Sequence, residues 1–401
     1  MIVINDNKDC MGCHACSNVC PKDCINMKND NEGFWYPVVD YNKCIRCGLC
    51  EKVCPIINET IVQNKPKAYA CYNNNEAIRL ESSSGGIFTL IAEYIIDNNG
   101  VVFGAGFDEK FSVVHSYVET KEELKKFRGS KYVQSKIENT FKEAKEFLNQ
   151  GRKVLFTGTP CQIGGLKSYL QREYNNLFCI DIICHGVPSP KVWKKYISYR
   201  EKQSGMLTQR IAFRRKDKGW KRYSVSFSFE NEAEYRENFD KDLFMKAFLR
   251  NVCLRPSCYK CNFKTLHRQS DITLADFWGV QNILPEMDDD KGTSLIFVNS
   301  VKGQAALEKI KDKILYKEIY INEAVKYNSS AVKSVEYNPK REGFFEELEE
   351  FSFDELVKKY CSDSMAVKIK RKVKSILRNM LDKMGLLNLV KRLFTSQSLR
   401  G

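Results

Sequence analysis

Two cysteine-rich segments near the amino terminus decide the fold of the first part of the chain. Residues 10–21 read CMGCHACSNVCP, and residues 44–55 read CIRCGLCEKVCP. Both have the spacing C-x2-C-x2-C-x3-C followed by proline, and each cysteine of the second segment lies 34 residues after its counterpart in the first. The segments are therefore an internal repeat, with a spacing that is typical of cysteines that bind iron-sulfur clusters.

The repeat also predicts which cysteines bind together. Three thiolates spaced in this way can bind three irons of one 4Fe-4S cluster, while the fourth cysteine reaches the other cluster. The alternative is a pair of four-cysteine zinc sites, but these usually combine separate C-x2-C pairs without a third close cysteine. His14 and Cys24 fall outside the spacing, and we expect them to pack near the sites without binding metal. We predict one cluster bound by Cys10, Cys13, Cys16 and Cys54, and a second bound by Cys44, Cys47, Cys50 and Cys20.

The segment between the two cysteine groups predicts a β-hairpin over residues 25–40, because apolar residues alternate on both sides of Gly33. Residues 1–57 as a whole resemble bacterial two-cluster ferredoxins. We therefore expect a small α+β ferredoxin domain over residues 1–60. Such a domain transfers single electrons and leaves substrate chemistry to another part of the protein.

The composition limits the class and location of the protein. The chain has 401 residues, of which 43% are hydrophobic and 17 are cysteines, and these values exclude a wholly disordered or collagen-like chain. The longest apolar run, residues 85–96, is too short to span a membrane. No apolar signal segment precedes the first cysteine, so we expect a cytoplasmic protein with reduced or metal-binding cysteines.

Residues 66–335 alternate between strand and helix patterns. Predicted strands occupy residues 67–72, 100–107, 153–156 and 177–183, and predicted helices occupy residues 86–97, 136–149 and 162–172. This alternation predicts an α/β body with a mostly parallel sheet. Ligands of such sheets bind beyond the carboxyl ends of the strands, so the turns at that edge are the candidate functional segments.

Two of these turns have suitable chemistry. Residues 82–86 (SSSGG) precede a helix, where hydroxyl and N–H groups can bind a phosphate or simply cap the helix. Residues 158–162 (GTPCQ) place Cys161 at the edge of the sheet. Cys184 lies on a similar turn, and with Cys258 and Cys261 these residues could form a third four-cysteine site. The C-x2-C pair alone is equally compatible with half a zinc site.

Five motifs together resemble the beta-subunit family of coenzyme F420 hydrogenases and dehydrogenases. They are SSSGG at residues 82–86, RGSKYVQS at 128–135, GTPCQ at 158–162, CHGVPS at 184–189, and CYKC at 258–261 followed by SDITLADFWG at 270–279. The resemblance covers residues 66–300. It implies a flavoprotein that passes electrons between FAD, iron-sulfur clusters and a hydride-carrying partner.

The resemblance also implies residue roles. Ser84, Gly85 and Gly86 would contact the FAD phosphates, and Lys131 and Tyr132 would lie along the cofactor. A third 4Fe-4S cluster would be bound by Cys161, Cys184, Cys258 and Cys261, with Cys253 as a reserve ligand. Asp276 would be a site residue without a specified role, and His185 either lies near the flavin or is a hydrogen-bonded structural residue.

The sequence does not select the electron partner. Coenzyme F420, NAD(P)H, another reduced carrier, a redox partner protein and a sugar-linked substrate in surface-polysaccharide synthesis all remain open. The main alternative is an iron-sulfur scaffold or redox sensor without its own turnover. Nucleic acid is not an expected partner, because much of the +14 net charge, +8 of it, falls in residues 361–401.

The carboxyl-terminal region, residues 336–401, is predicted to be helical with a basic amphipathic tail. Apolar residues recur at intervals of three and four, which places them on one helical face. The tail therefore predicts either peripheral contact with the inner membrane surface or docking on the body or on a partner subunit. The apolar face consists of Ile369, Val373, Ile376, Leu377, Met380, Met384 and Leu387.

Overall fold

The computed structural model of the protein describes residues 1–362, Val373 and Met380. The amino-terminal domain has two short helices around a hairpin, which is the predicted one, with Ile25 opposite Val39. Its elements are α1 (Ala15–Val19), β1 (Ile25–Asn29), β2 (Trp35–Val39) and α2 (Leu49–Lys52). The apolar residues of this domain are few and surround its cysteines.

The body contains an eight-stranded sheet and a separate three-stranded sheet. The eight strands follow the order β13-β3-β12-β11-β7-β6-β4-β5, and the three follow β10-β9-β8. The strands are β3 (Lys67–Asn73), β4 (Val101–Phe107), β5 (Val113–Val118), β6 (Val154–Gly158), β7 (Leu177–Ile182), β8 (Thr208–Arg215), β9 (Ser224–Phe229), β10 (Glu234–Asn238), β11 (Ile272–Asp276), β12 (Ser294–Val298) and β13 (Ile314–Ile319).

The prediction of a mostly parallel sheet is wrong, because the large sheet is mixed. Only β4, β6, β7 and β11 pair in parallel, whereas β5, β12, β3 and β13 join through antiparallel pairs. The segment from β11 to β12 has no long crossover helix, and it returns the chain so that Asp276 lies opposite Ser294. The sequence pattern predicts β3, but it predicts no strand at β5 and none after residue 183, where β12 and β13 lie.

Helices cover the large sheet and surround the small one. α4 follows the predicted pattern, whereas α5 begins at Thr140 and not at residue 136, because Glu138 has a φ of 50° that no helix accommodates. The helices of the body are α3 (Glu76–Glu81), α4 (Ile87–Asp97), α5 (Thr140–Asn149), α6 (Pro160–Leu170), α7 (Pro190–Ser204), α8 (Leu243–Leu249), α9 (Val280–Ile283), α10 (Val301–Ile310), α11 (Ile321–Lys326), α12 (Arg341–Glu346) and α13 (Phe353–Cys361).

The two faces of the large sheet carry separate apolar cores. In β4, Val102 packs with Ile91 of α4 on one face, whereas Phe103 packs with Ile163 of α6 on the other. Successive strand residues point to opposite faces, so both faces must be covered by helices. The carboxyl ends of β3, β4, β6, β7 and β11 all lie at the same edge, which leaves that edge for functional groups.

The carboxyl-terminal helices belong to the core of the small sheet. Phe344 of α12 and Leu356 of α13 are buried with Trp193 and Phe227. Within the described residues, no helix has the length and hydrophobicity that crossing a bilayer requires. The predicted basic amphipathic tail lies outside the described residues, apart from Val373 and Met380.

The amino-terminal domain packs closely on the body. Asn18 of α1 donates to the carbonyl of Glu138 at 2.7 Å, and Lys142 of α5 pairs with Asp23 at 2.8 Å. Arg341 of α12 forms a bidentate ion pair with Glu32 at the tip of the hairpin. These contacts fix the cysteines of the amino-terminal domain against the carboxyl edge of the sheet.

Candidate functional site

The first cysteine cavity lies at the exposed end of the amino-terminal domain, and we call it the outer site. Its lining includes Cys20, Cys44, Cys47 and Cys50, which is the set that the repeat predicts, together with Cys24. Cys47 is exposed, whereas Cys20, Cys24 and Cys50 are buried. The Sγ atoms of Cys20 and Cys24 are 3.2 Å apart, so Cys24 packs directly against one predicted ligand.

The second cavity lies against the body, and we call it the inner site. Cys10, Cys13, Cys16 and Cys54 line it, again the predicted set. Burial raises the pKa of Cys13 to about 12, so the thiolate needs a positive charge such as a metal to form at neutral pH. His14 also lines this cavity, and its Nε2 atom is buried without a hydrogen-bond partner.

The third cavity, the body site, collects cysteines from distant segments. Cys161 lies in the first turn of α6, Cys184 follows β7, and Cys258 and Cys261 come from the turn at 256–261. The order of the sheet explains this convergence, because β6 and β7 are neighbours and end at the same edge. The resemblance grouped these four cysteines, and the structure brings them together around one cavity.

Cys253 is not part of this group. It is fully buried in the apolar core beside Leu254 and Cys361, and it is absent from the lining of the body site. Burial raises the pKa of its thiol, as expected for an inert cysteine. The structure therefore gives no support to Cys253 as a reserve ligand.

The body site is strongly basic. Arg255, Lys264 and Arg268 all line it, and the ammonium of Lys264 donates to the carbonyl oxygens of Cys184 and Ser330. Burial raises the pKa of the Cys184 thiol, while Lys264 and Arg268 oppose that rise. Three cations around four cysteines suit a ligand with net negative charge, such as a cluster bound by four thiolates.

Unpartnered donors give a second sign of a bound group. In the body site, Ser257 Oγ and Arg268 Nε are buried without hydrogen-bond partners, as His14 Nε2 is in the inner site. Buried polar atoms normally have partners, and cluster sulfur atoms accept such hydrogen bonds. Among the described residues, no three His, Cys, Asp or Glu side chains are arranged to hold a single metal ion. The inner and body sites both fit a 4Fe-4S cluster.

The inner and body sites are contiguous. Met11, which follows Cys10, lines both cavities. Cys13 packs against Gly165, one turn beyond Cys161 in α6. The outer and inner sites are joined through α1, which separates Cys20 from Cys16 by a single helical turn. The three sites therefore form a continuous series from the exposed Cys47 to the edge of the sheet.

The SSSGG loop lies beside this edge, between α3 and α4. Gly86 has a φ of 81° immediately before the helix, a conformation that favours glycine. The Ser84 hydroxyl donates to the carbonyl of Thr293 at 2.9 Å, and the Gly85 N–H donates to the Ser294 hydroxyl at 2.9 Å. Two of the three groups expected to contact FAD phosphates are therefore engaged within the protein.

Lys131 and Tyr132 face the same region with different partners. Burial lowers the pKa of Lys131 to about 7, and its ammonium donates to the carbonyl oxygens of Lys126, Arg128 and Gly129. The Tyr132 hydroxyl accepts a hydrogen bond from Arg214 at 3.1 Å. Lys131 thus stabilises the loop in which it lies, while Tyr132 is hydrogen-bonded to the buried guanidinium of Arg214.

Arg214 and Asp276 form a buried ion pair, of which only Asp276 lies in a sequence motif. Arg214 donates to both carboxylate oxygens of Asp276, at 2.8 and 3.1 Å, and also to the carbonyl of Ser83. Trp220 donates to Asp276 at 2.8 Å and stacks on Trp278, with ring centroids 5.0 Å apart. The signal for Asp276 was the ADFWG turn, whereas Arg214 lies in β8 without a motif.

His185 is hydrogen-bonded, as one of the two sequence interpretations proposed. Its Nε2 atom lies 2.7 Å from Oδ1 of Asn251, and its ring packs edge-on against Phe248. His185 also lines the body site, next to Cys184. Burial lowers its pKa, so the ring is neutral over the physiological range.

Comparison with known families agrees with this arrangement. The profile described as coenzyme F420 hydrogenase/dehydrogenase, beta subunit N-term, matches residues 68–142, and its C-terminus counterpart matches residues 151–324. A 4Fe-4S dicluster domain profile matches residues 9–56. Together the two beta-subunit profiles span more than half of the chain.

Structural comparison finds a chain of the F420-reducing [NiFe] hydrogenase complex from Methanosarcina barkeri, studied by xenon derivatization. It is 18% identical, with a TM-score of 0.45, and the match covers 69% of this chain and 97% of that chain. No curated protein matches the sequence significantly.

Proposed function

This chain belongs to the coenzyme F420 hydrogenase/dehydrogenase beta-subunit family, and from that membership we propose that it is an iron-sulfur flavoprotein that passes electrons between a hydride-carrying partner and 4Fe-4S clusters. Membership supports the oxidoreductase class, and the dicluster domain supports two amino-terminal clusters. The observation that carries the proposal is the continuous series of three cavities, each lined by at least four cysteines.

A third cluster at the body site is part of this proposal. Its support comes from the convergence of Cys161, Cys184, Cys258 and Cys261 and from the cations that line the cavity. A cluster bound there supplies one-electron transfer at the carboxyl edge of the sheet. The residues of this chain hold the thiolates, offset their charge and exclude water from them.

FAD is the second part of the proposal, beside the body site. When bound, FAD would accept two electrons as one hydride and release them one at a time, or do the reverse. Arg214 donates hydrogen bonds to the Tyr132 hydroxyl, to the Asp276 carboxylate and to the carbonyl of Ser83, so it connects the SSSGG loop with both residues. Arg214 Nε is buried without a partner, which leaves one donor of this network for a ligand.

The internal engagement of three expected FAD contacts favours a second candidate function. Ser84, Gly85 and Lys131 all bind atoms of the chain itself. This arrangement is what we expect of an iron-sulfur scaffold or redox sensor that has clusters but no flavin and no turnover of its own. The two candidates share the cysteine sites and differ in the cofactor at the sheet edge.

Anaerobic purification followed by iron, sulfide and flavin analysis tests both. We expect about 12 iron atoms per chain for three clusters, and about 8 if only the amino-terminal pair is present. Bound FAD, or its retention after addition and gel filtration, supports the flavoprotein. Absence of flavin under both conditions supports the scaffold or sensor.

We infer the class of electron partner from the type of reaction, since no substrate pocket identifies it among the described residues. A hydride carrier such as coenzyme F420 or NAD(P)H would exchange electrons at the flavin, and a redox protein would exchange them at the outer site. A role in surface-polysaccharide synthesis stays a prediction from the resemblance. Stopped-flow reduction of the anaerobic protein by each carrier separates these partners, because only a true donor bleaches the flavin and cluster absorbance rapidly.

A further inference from the structure

Arg255 is a fully buried arginine between the amino-terminal domain and the body. Its Nε atom donates to the carbonyl of Cys10 at 2.9 Å, and its Nη2 atom donates to the carbonyl of Trp35 at 3.1 Å. The remaining nitrogen, Nη1, donates to the side-chain oxygen of Gln134 at 3.2 Å. The guanidinium also lies over the ring of Tyr36, 4.2 Å from its centroid.

Every one of these acceptors is uncharged. Within the part of the chain that the structure describes, no carboxylate lies within ion-pair distance of Arg255. Three other buried arginines each have a carboxylate as counter-ion: Arg214 has Asp276, Arg341 has Glu32, and Arg268 has Asp181. A buried charge without a counter-ion is costly, so a negative group absent from the protein itself is expected near Arg255.

The position of Arg255 identifies two such groups. Arg255 lines the body site together with Cys258, which lies three residues further along the chain. Its hydrogen bond to Cys10 fixes the backbone of a residue that lines the inner site. One uncompensated cation is thus shared by two adjacent cysteine sites, and it has no contact with the outer site.

We propose that Arg255 raises the reduction potentials of the inner and body clusters relative to the outer cluster. Each transfer moves one electron, so one cluster is oxidised by one unit and the next is reduced by one unit, without proton transfer or bond cleavage. The added negative charge is stabilised by a nearby buried cation, and the low local dielectric strengthens that effect. Electrons that enter at the outer site then move favourably inward.

This proposal rests on the proposed function, because it assumes a cluster at the body site. The experiment tests the presence of that cluster and the effect of Arg255 separately. Iron and sulfide are measured first in the intact, anaerobically purified protein, together with Arg255→Gln and Arg255→Lys. About 12 iron atoms establish the body cluster, whereas about 8 would show that it is absent, and the potential of the inner cluster alone would then test Arg255. Each cluster is then titrated potentiometrically and followed by electron paramagnetic resonance.

We expect Arg255→Gln to make the inner and body potentials more negative and to leave the outer potential unchanged. At the midpoint of the native protein, the ratio of reduced to oxidised cluster should fall about tenfold, which for a one-electron couple is about 59 mV. Arg255→Lys keeps the charge and should stay close to the native potentials. The outer signal is identified as the one that is lost in Cys47→Ser.

Two further variants serve as controls. Arg341→Gln removes a buried arginine from the same domain interface, but one that Glu32 already neutralises, so it should not move either potential. Gln134→Glu places a carboxylate beside Arg255 in nearly the same shape and should shift both potentials as Arg255→Gln does. If Arg255→Gln loses iron, the reduction potentials of Gln134→Glu test the proposal instead.

The proposal is overturned by unchanged potentials in Arg255→Gln, by an equal shift in Arg341→Gln, or by an equal shift in Arg255→Lys. Loss of clusters in both Arg255→Gln and Gln134→Glu would also overturn it. In that case Arg255 would hold the interface together and would not set a potential.

Discussion

Gly165 of α6 and Cys13 of the amino-terminal domain are in direct contact across the domain interface. A Cβ atom at position 165 would lie 2.8 Å from Cβ of Cys13 and 3.0 Å from its Sγ. Distances this short cannot be accommodated without movement, so the absence of a side chain at Gly165 is what allows the inner site to approach the body. The contact joins the helix that carries Cys161 to a cysteine of the inner site.

We therefore expect Gly165→Ala to disturb the inner cluster. Alanine favours a helix by roughly 1 kcal/mol over glycine, so any loss must come from the contact with Cys13 and not from α6 itself. Iron content and the inner resonance signal should both fall. The matched control is Gly106→Ala in β4, where the nearest atom would be 3.6 Å from the new Cβ. If Gly165→Ala keeps its full inner cluster, the contact between Gly165 and Cys13 is not needed for that cluster to bind.

Cys258→Ser should lower the iron content by about four atoms per chain, since a four-cysteine site that loses one ligand holds its cluster poorly. Cys253→Ser is the control, because Cys253 lies in the same segment but in the apolar core beside Cys361. Its iron content should equal that of the native protein, even if its stability falls. Equal iron in both variants would leave the cysteines of the body site as ordinary thiols.

The amino-terminal sites could be predicted from the sequence because their ligands are close along the chain. Ligand sets that span the repeat, such as Cys54 with Cys10, followed from the spacing, and the structure brings both sets together. The body site was grouped through family resemblance, because residues from Cys161 to Cys261 meet only after the sheet forms.

Buried arginines were the main omission. Arg255 reaches the carbonyl of Cys10 across 245 residues of sequence, and Arg214 reaches Asp276 across 62. Arginine is usually exposed, and no local pattern marks the few that are buried. The mixed sheet was missed for a related reason, since β12 and β13 lie beyond the last predicted strand and pair with β3 from the start of the body.

Asp276→Asn should destabilise the body, because it leaves the guanidinium of Arg214 buried without its counter-ion. The Arg214 side chain is 2% exposed and that of Asp276 is 16% exposed, so solvent cannot replace the lost charge. The expected cost is about 3–5 kcal/mol, measured as a lower midpoint of denaturant unfolding. Glu308→Gln breaks an exposed pair with Lys311 and should cost less than about 1 kcal/mol. Equal midpoints in the two variants would show that the Arg214 pair is not structurally important.

Cys47→Ser and Cys24→Ser test which of the five cysteines at the outer site bind its cluster. Cys47 is exposed and belongs to the repeat, so its replacement should remove about four iron atoms and one resonance signal without disturbing the inner and body sites. Cys24 is buried 3.2 Å from the Sγ of Cys20 but lies outside the repeat, and its contribution to Cys20 includes a backbone N–H that serine retains. Cys24→Ser should therefore keep all of its iron. Equal iron loss in the two variants would make Cys24 a ligand, and the spacing rule would then fail at this site.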